Sequence, residues 1–293
     1  MIRRIVDIAI ENVYLSKERG FLLVKQGENE AKIPLDDIES VIIHSYSATY
    51  SHMLLMELAE RGIPMVVCGK NHSPSAILLA LNGNYLQAGR IDSQIAASKP
   101  MNKRLWQDVV SAKILNQATV LAHYNLPNKV LIELAKGVTS GDSSNNEAQA
   151  ARYYWQMLMS DGFLRNQDGE DFCNIALNYG YAILRSSMAR AIVGVGLQPS
   201  LGIHHYNKQN PMRLVDDMME PFRPVVDMIV CDLAAGGATE LGKDEKLALA
   251  KCIHFDIAGA DGRTPVVNWM EKVAINLLYV YEGVKKKLEM PIM

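Results

Sequence analysis

Between Leu201 and Pro224 the chain reads LGIHHYNKQNPMRLVDDMMEPFRP, which crowds His204, His205, Asp216, Asp217 and Glu220 into one short stretch. Imidazole with carboxylate is the donor mixture that suits Mn²⁺ or a mixed-ligand Mg²⁺ site, and thiol-rich zinc sites look different. A divalent ion held by such groups does phosphoryl chemistry well, because it stabilises charge on the attacking, leaving and non-bridging oxygens. Adjacent histidines point in different directions, so at most one of His204 and His205 is expected to ligate. Asp217 and Glu220 stand three apart and share a face if the segment is helical, while Pro221 and Pro224 mean that any helix there is starting or kinked. The plain alternative for Asp216 and Asp217 is N-capping of the helix that follows. Glu220 lies between Met219, Pro221 and Phe222, an apolar setting that is costly for an unpaired charge and that a metal or a nearby cation would relieve.

A further acid is available upstream at Glu147, in SSNNEAQAARYYWQML. Ser144 and Glu147 also match the S-x-x-E capping box, in which the acid satisfies a free backbone N–H at a helix start. Local sequence leaves capping and catalysis both open. His44, His52, His72, His123 and His254 are isolated and are expected on the surface or as satisfied core groups. Gly194 and Gly196 in VGVG lack phosphate-loop spacing and suit a helix end. The run Tyr153-Tyr154-Trp155 fits core packing better than base stacking.

The elements that must position these groups are legible in the periodicity. At 293 residues, 49% hydrophobic and 21% charged, the chain is globular and has room for one large or two ordinary domains. Residues 1–88 read as a β-rich, β-sandwich-like domain of short antiparallel strands (RRIVDIAI, NVYLS, GFLLVKQ, AKIPL, ESVIIHS, IPMVVCG, PSAILLAL) with one helix over Thr49–Glu60. Residues 89–101 read as the linker. Residues 102–293 form the larger all-α part, with helical spacing through 104–124, 129–136, 146–159, 170–195, 225–235, 243–258 and 265–288. Thr264 is expected to cap the last of these, with Pro265 in its first turn, and Lys285, Lys286 and Lys287 to form its solvated end. The architecture expected is therefore α+β in two domains, with the helical one catalytic. Cys68, Cys173, Cys231 and Cys252 form no CxxC pair and read as buried thiols in a reducing cytoplasm. No apolar run approaches the ~20 residues of a membrane span. The net charge of −2 neither demands nor excludes a nucleic-acid partner.

Three segments taken together, NEAQAARYYW around Glu147, LNYGYAILRSSMARAIVGVGLQPSLGIHH over 177–205 and RLVDDMMEPFRPVVD around Glu220, resemble the CRISPR-associated protein one family, the integrase of CRISPR adaptation. The resemblance spans essentially the whole chain, and the compact length looks most like members that accompany type II systems. It implies a catalytic Mg²⁺ or Mn²⁺ held by Glu147, His205 and Glu220, with Glu220 replacing the aspartate of some relatives. His205 is preferred to His204 by its offset from Gly202. Asp217 matches an acidic position beside the site, and Arg152 matches an arginine that orients a carboxylate or a DNA phosphate. The implied activity is insertion of short captured DNA into the repeat array by 3′-hydroxyl attack on a repeat phosphodiester, with nicking when water attacks instead. The implied partners are double-stranded DNA, a second copy of the chain bound through the N-terminal domain, CRISPR-associated protein two, and other type II adaptation proteins. A non-catalytic DNA-binding scaffold and a generic metal-dependent DNA phosphodiesterase are the competing readings.

Overall fold

The computed structural model describes residues 3–69, 74–81, 83–159, 162–259 and 262–293, so His72 lies outside the described residues. The N-terminal strands are β1 (Arg4–Ile8), β2 (Tyr14–Glu18), β3 (Phe21–Gln26), β4 (Asn29–Pro34), β5 (Ile38–Ile43), β6 (Thr49–Tyr50), β7 (Met65–Cys68) and β8 (Pro74–Leu78). They build two four-stranded sheets, ordered β1-β5-β7-β8 and β4-β3-β2-β6. Helix α1 (His52–Glu60), capped by the Ser51 side chain, crosses over between β5 and β7. The antiparallel expectation holds for β2-β3-β4 and for β7-β8, but β1–β5, β5–β7 and β2–β6 pair in parallel. The reason lies in β5, IESVII, where all six residues are buried. A strand covered on both faces reads as a continuous apolar run, and a crossover helix sets its neighbour parallel. Val41 and Ile43 pack into the N-terminal core with Leu15, Leu22, Leu54 and Leu58, whereas Ile42 joins the core of the helical part.

The helical part comprises α2 (Gln87–Ile95), α3 (Lys99–His123), α4 (Lys129–Lys136), α5 (Asn146–Leu158), α6 (Phe172–Gly194), α7 (Arg213–Met219), α8 (Arg223–Ala235), α9 (Lys243–Ala250) and α10 (Val266–Tyr281). A 3₁₀ turn over Glu220–Phe222 joins α7 to α8. The connection at 89–101 is itself helical, spanning most of α2 and the start of α3. Gln94 anchors it by donating to the carbonyls of Gln198 and Leu201 and accepting the Gln198 N–H. Two further expectations change. Helical spacing through 243–258 ends at Ala250, and a hairpin of β9 (Asp256–Gly259) and β10 (Gly262–Pro265) follows a short 3₁₀ turn. Thr264 and Pro265 consequently pair in β10, and α10 starts at Val266 without a side-chain cap. The lysine triplet follows α10 after the turn at Gly283 (φ 74°), and Lys285 Nζ bonds Asn276 at 2.5 Å. Among the described residues no helix is long and apolar enough to cross a membrane. Of the four free cysteines, Cys68 and Cys252 are buried and Cys173 and Cys231 only partly so.

Helix α6 is the axis of the molecule. Arg190 reaches from it to the carbonyls of Ile38 and Glu39 at 3.0 and 2.9 Å, and Ser186 meets Ser40 at 3.1 Å, which ties the helix to β5. On another face it packs against α8 so closely that a Cβ at Gly180 would stand 2.4 Å from Val226 Cγ1. Gly180→Ala should therefore destabilise the protein by about 1–3 kcal/mol despite the better helix propensity of alanine. Denaturant unfolding should show this as a lower midpoint with an unchanged slope.

Candidate active site

Glu147 enters the site because another residue takes over the capping. Asp142, in the loop before α5, accepts the backbone N–H groups of Asn146 and Glu147 at 2.9 and 3.0 Å. The Ser144–Glu147 box is thus not formed, and the Glu147 carboxylate points instead at α3, where it accepts from Lys113 Nζ at 2.6 Å.

The 201–224 segment folds around Asp217. Its side chain is wholly buried and accepts the N–H groups of Ile203, His204 and His205 at 2.7, 3.0 and 3.3 Å. Asp217 therefore binds the preceding loop and caps no helix. Gly202 makes this approach possible, since a Cβ there would lie 3.0 Å from Asp217 Oδ2 and 2.9 Å from the His205 carbonyl. Asp217 Oδ1 also stands 2.5 Å from His205 Nδ1. With the Nδ1 proton directed at the carboxylate, Nε2 is left with its lone pair for the cleft, the usual arrangement behind a ligating histidine. That hydrogen bond, helped by the charges of Asp217, Glu220 and Glu147 and opposed by burial, raises the His205 pKa. His204 is engaged elsewhere, stacked on Trp106 with ring centres 4.1 Å apart and planes 2° from parallel. Of the two histidines, His205 is the one brought to the carboxylates. Asp216, also expected as a cap, is held by Arg185 at 2.7 and 2.9 Å and by Asn210 at 2.7 Å.

Glu220 begins the 3₁₀ turn and is 3% exposed. Arg223 meets its Oε1 at 3.0 Å and Lys113 Nζ lies 2.6 Å from its Oε2. Burial alone would raise the Glu220 pKa, but Arg223, Lys113 and His205 together hold it below the usual carboxylate value. Burial likewise works against the charge on Lys113, and Glu220 and Glu147 overcome it. The ammonium donates an aligned hydrogen bond to Glu147, whereas Glu220 Oε2 is buried with no aligned donor. Behind this turn, Asn116 on α3 donates to the carbonyls of Pro221 and Pro291 at 2.7 and 3.2 Å and accepts Met293 N–H at 2.8 Å.

A cleft of about 610 Å³ opens over these groups, lined by Lys113, Glu147, His205, Asp216 and Glu220 together with Arg165, Arg185 and Arg223. Beneath it, Tyr181 lies under the guanidinium of Arg223, 4.9 Å from the ring centre, and donates a short hydrogen bond to Asp227. Tyr154 donates to the same carboxylate at 3.0 Å. Burial pushes Asp227 up to about 7 against the opposing effect of these two hydroxyls. Tyr154 of the aromatic run is therefore core, as expected, but its hydroxyl supports the floor of the cleft.

Two carboxylates and an imidazole are suitable donors for Mg²⁺ or Mn²⁺, so Glu147, His205 and Glu220 fit such an ion by donor chemistry, with the buried Glu220 Oε2 held by charge alone against the Lys113 ammonium. Among the described residues no three such donors are closed to coordination spacing, and Lys113 stands between two of them. Arg152 is not brought to the cluster: it is exposed on α5 and does not line the cleft. Arg223 takes the carboxylate-orienting position expected of it. Sequence reading missed Lys113, Arg165, Arg185 and Arg223. Lys113 carried a faint signal, since it lies four and seven residues after the buried Val109 and Trp106 and so falls on the inward stripe of α3.

A family model described as CRISPR associated protein Cas1 matches residues 8–247. The chain belongs to the Cas1 family. Among Cas1 relatives, the CRISPR-associated endonuclease Cas1 of Neisseria meningitidis serogroup C (strain 8013) is 38% identical over 248 residues, 83% of this chain and 81% of the relative. A structure described as a casposase bound to integration product superposes with a TM-score of 0.82 at 19% identity, covering 99% of this chain and 93% of the other. A Cas6-RT-Cas1–Cas2 complex contains a chain that matches with a TM-score of 0.78 at 18% identity, covering 97% of this chain and 36% of the longer one. At these identities the two structures show that the Cas1 fold is shared.

The raised pKa of Asp227 gives a pH dependence of defined sign. Its pKa of about 7 in the folded protein lies well above the ordinary carboxylate range of the unfolded chain, so its contribution is most favourable at low pH and is lost as pH rises through that interval. Asp227→Asn should remove this slope. Melting temperatures measured from pH 4 to pH 8 should move in favour of the asparagine variant as pH rises, with most of the change complete near pH 7.

Proposed function

We propose that the protein is a metal-dependent DNA integrase and endonuclease of CRISPR adaptation. The observation that carries this reading is the convergence of Glu147, His205 and Glu220 from α5, the 201–206 loop and the 3₁₀ turn into one arginine-lined cleft. A bound Mg²⁺ or Mn²⁺ would stabilise charge on the phosphate oxygens and acidify the attacking hydroxyl. Glu147, His205 and Glu220 would hold the ion, and Asp217 would keep His205 Nε2 aimed at it. Arg165, Arg185 and Arg223 would neutralise and orient the DNA phosphate. The 3′-oxygen of a captured DNA strand attacks the repeat phosphorus in line, and the bond from phosphorus to the leaving 3′-oxygen breaks as the new one forms. One phosphodiester replaces another, so no energy source is needed. With water in place of the 3′-hydroxyl, the same cleft nicks DNA.

Family membership, an endonuclease among the relatives and a casposase with its integration product among the structural neighbours all support this chemistry. The Cas1–Cas2 complex among those neighbours supports a Cas2-type partner. The N-terminal sheets leave Tyr14 and Phe21 exposed, apolar surface suited to a homodimer formed there. Type II adaptation proteins are further proposed partners. DNA affinity should come chiefly from cationic groups on phosphate and fall steeply with salt.

Strand transfer into a supercoiled repeat plasmid, run with Mn²⁺, Mg²⁺ or EDTA and with or without the Cas2 partner, tests the reading. Joined product should require the metal, and Glu220→Ala should lose it by about 100-fold or more, since even partners behind a ligand cost about 10–100-fold. Full joining by Glu220→Ala would overturn the site assignment, and full joining in EDTA would overturn the metal dependence. DNA binding that EDTA leaves intact, with no joining in any lane, would point to a scaffold that does no chemistry. Cleavage without joining would point to a simple phosphodiesterase. Asp217→Asn should weaken Mn²⁺ binding by about 10–100-fold, as judged by calorimetry. Because its amide nitrogen would face backbone N–H donors or His205 Nδ1, it should also lower the melting temperature, with circular dichroism checking that the helices remain.

A further inference from the structure

Among the described residues, Lys113 is the one cation placed between the two carboxylates assigned to the metal. Its Nζ lies 2.6 Å from Glu147 Oε1 and 2.6 Å from Glu220 Oε2, and its side chain is only 12% exposed. It approaches from α3, an element that supplies none of the proposed ligands. The contact with Glu147 is a directed hydrogen bond, while the contact with Glu220 is charge against charge without alignment. A divalent ion shared by Glu147 and Glu220 needs the volume that this ammonium fills, because metal–oxygen bonds of about 2.0–2.2 Å leave no room for a cation between the same two oxygens.

We propose that Lys113 is a built-in competitor for the metal. Resting on the metal reading above, the inference is that the ammonium holds Glu147 and Glu220 together while no metal is bound and must leave as the ion enters. Its four-carbon stem allows that movement without moving α3. Two effects follow. Without metal, the lysine prevents two carboxylates in a largely buried site from repelling each other. With metal, the energy of breaking its pairs is subtracted from the binding energy, so the site loads only when the free ion concentration is high enough. Arg223, paired with Glu220 Oε1 and stacked over Tyr181, lies outside the contested position and is expected to stay.

Lys113→Met removes the charge and keeps most of the stem. Isothermal titration with Mn²⁺ at pH 8, on the full chain, should show this variant binding about tenfold or more tightly than the wild type, because a near-contact cation is no longer opposed to the ion. Its melting temperature in EDTA should fall, and Mn²⁺ should raise it by more than it raises that of the wild type. Equal or weaker Mn²⁺ binding by Lys113→Met would overturn the role of Lys113 while leaving the metal site standing. No Mn²⁺ binding by the wild type would overturn the metal reading and this inference with it. If the variant does not fold, a wild-type crystal soaked in Mn²⁺ decides by anomalous scattering. The expected result is metal on Glu147, His205 and Glu220 with Nζ beyond hydrogen-bond reach of both carboxylates, and Nζ still between them would overturn the proposal.

Discussion

The buried charge on Glu220 is the constraint around which the rest of the site is arranged. A carboxylate 3% exposed among Met219, Pro221 and Phe222 is strongly unfavourable unless compensated. The compensation comes from two directions, Lys113 on α3 and Arg223 on α8. Each of those cations is in turn held by something else. Lys113 shares itself with Glu147, and Arg223 rests on Tyr181, whose hydroxyl is committed to Asp227. Removing one member of such a set leaves an uncompensated buried charge, which is costlier than the net worth of the pair. The turn that carries Glu220 is fixed from behind by Asn116, which also anchors the chain near Pro291 and Met293.

Asp217 plays the same part for the imidazole. It spends its lone pairs on three consecutive backbone N–H groups and on His205 Nδ1, so one carboxylate sets both the course of the 203–205 loop and the direction of the ring. Gly202 is the steric condition for that arrangement. Stacking on Trp106 takes His204 out of contention. The floor below is a further buried carboxylate, Asp227, pushed up to about 7 by burial, an effect that at Glu220 is outweighed by Arg223 and Lys113 in direct contact. Two buried acids a short way apart thus sit on opposite sides of the usual range because their neighbours differ.

Much of this was legible beforehand where the signal is local. A β-rich first third and a helical remainder followed from period and turn residues, and the family followed from three segments that keep their order. Glu147, His205 and Glu220 were named from those segments. Where local signals competed, the sequence could not arbitrate. Ser144 and Glu147 match a capping box as well as any, yet Asp142 does the capping, because a loop with Asp142 and Asn145 at positive φ folds back over the start of α5. Parallel pairing of β5 and the hairpin at 256–265 depend on which faces are covered, which strand propensity does not report.

Sequence alone singled out Glu147, the His204–His205 pair and Glu220 as the candidate donors, because side-chain chemistry and the order of the three segments are properties of the chain itself. Only the tertiary structure decided which of His204 and His205 faces the carboxylates, since that rests on a ring stack and a buried aspartate drawn from distant positions. It alone brought Lys113, Arg165, Arg185 and Arg223 to the cleft and left Arg152 outside. Electrostatic compensation of a buried carboxylate acts through a few ångströms of space, and residues 107 positions apart along the chain, such as Lys113 and Glu220, become neighbours only when α3 packs against the turn after α7.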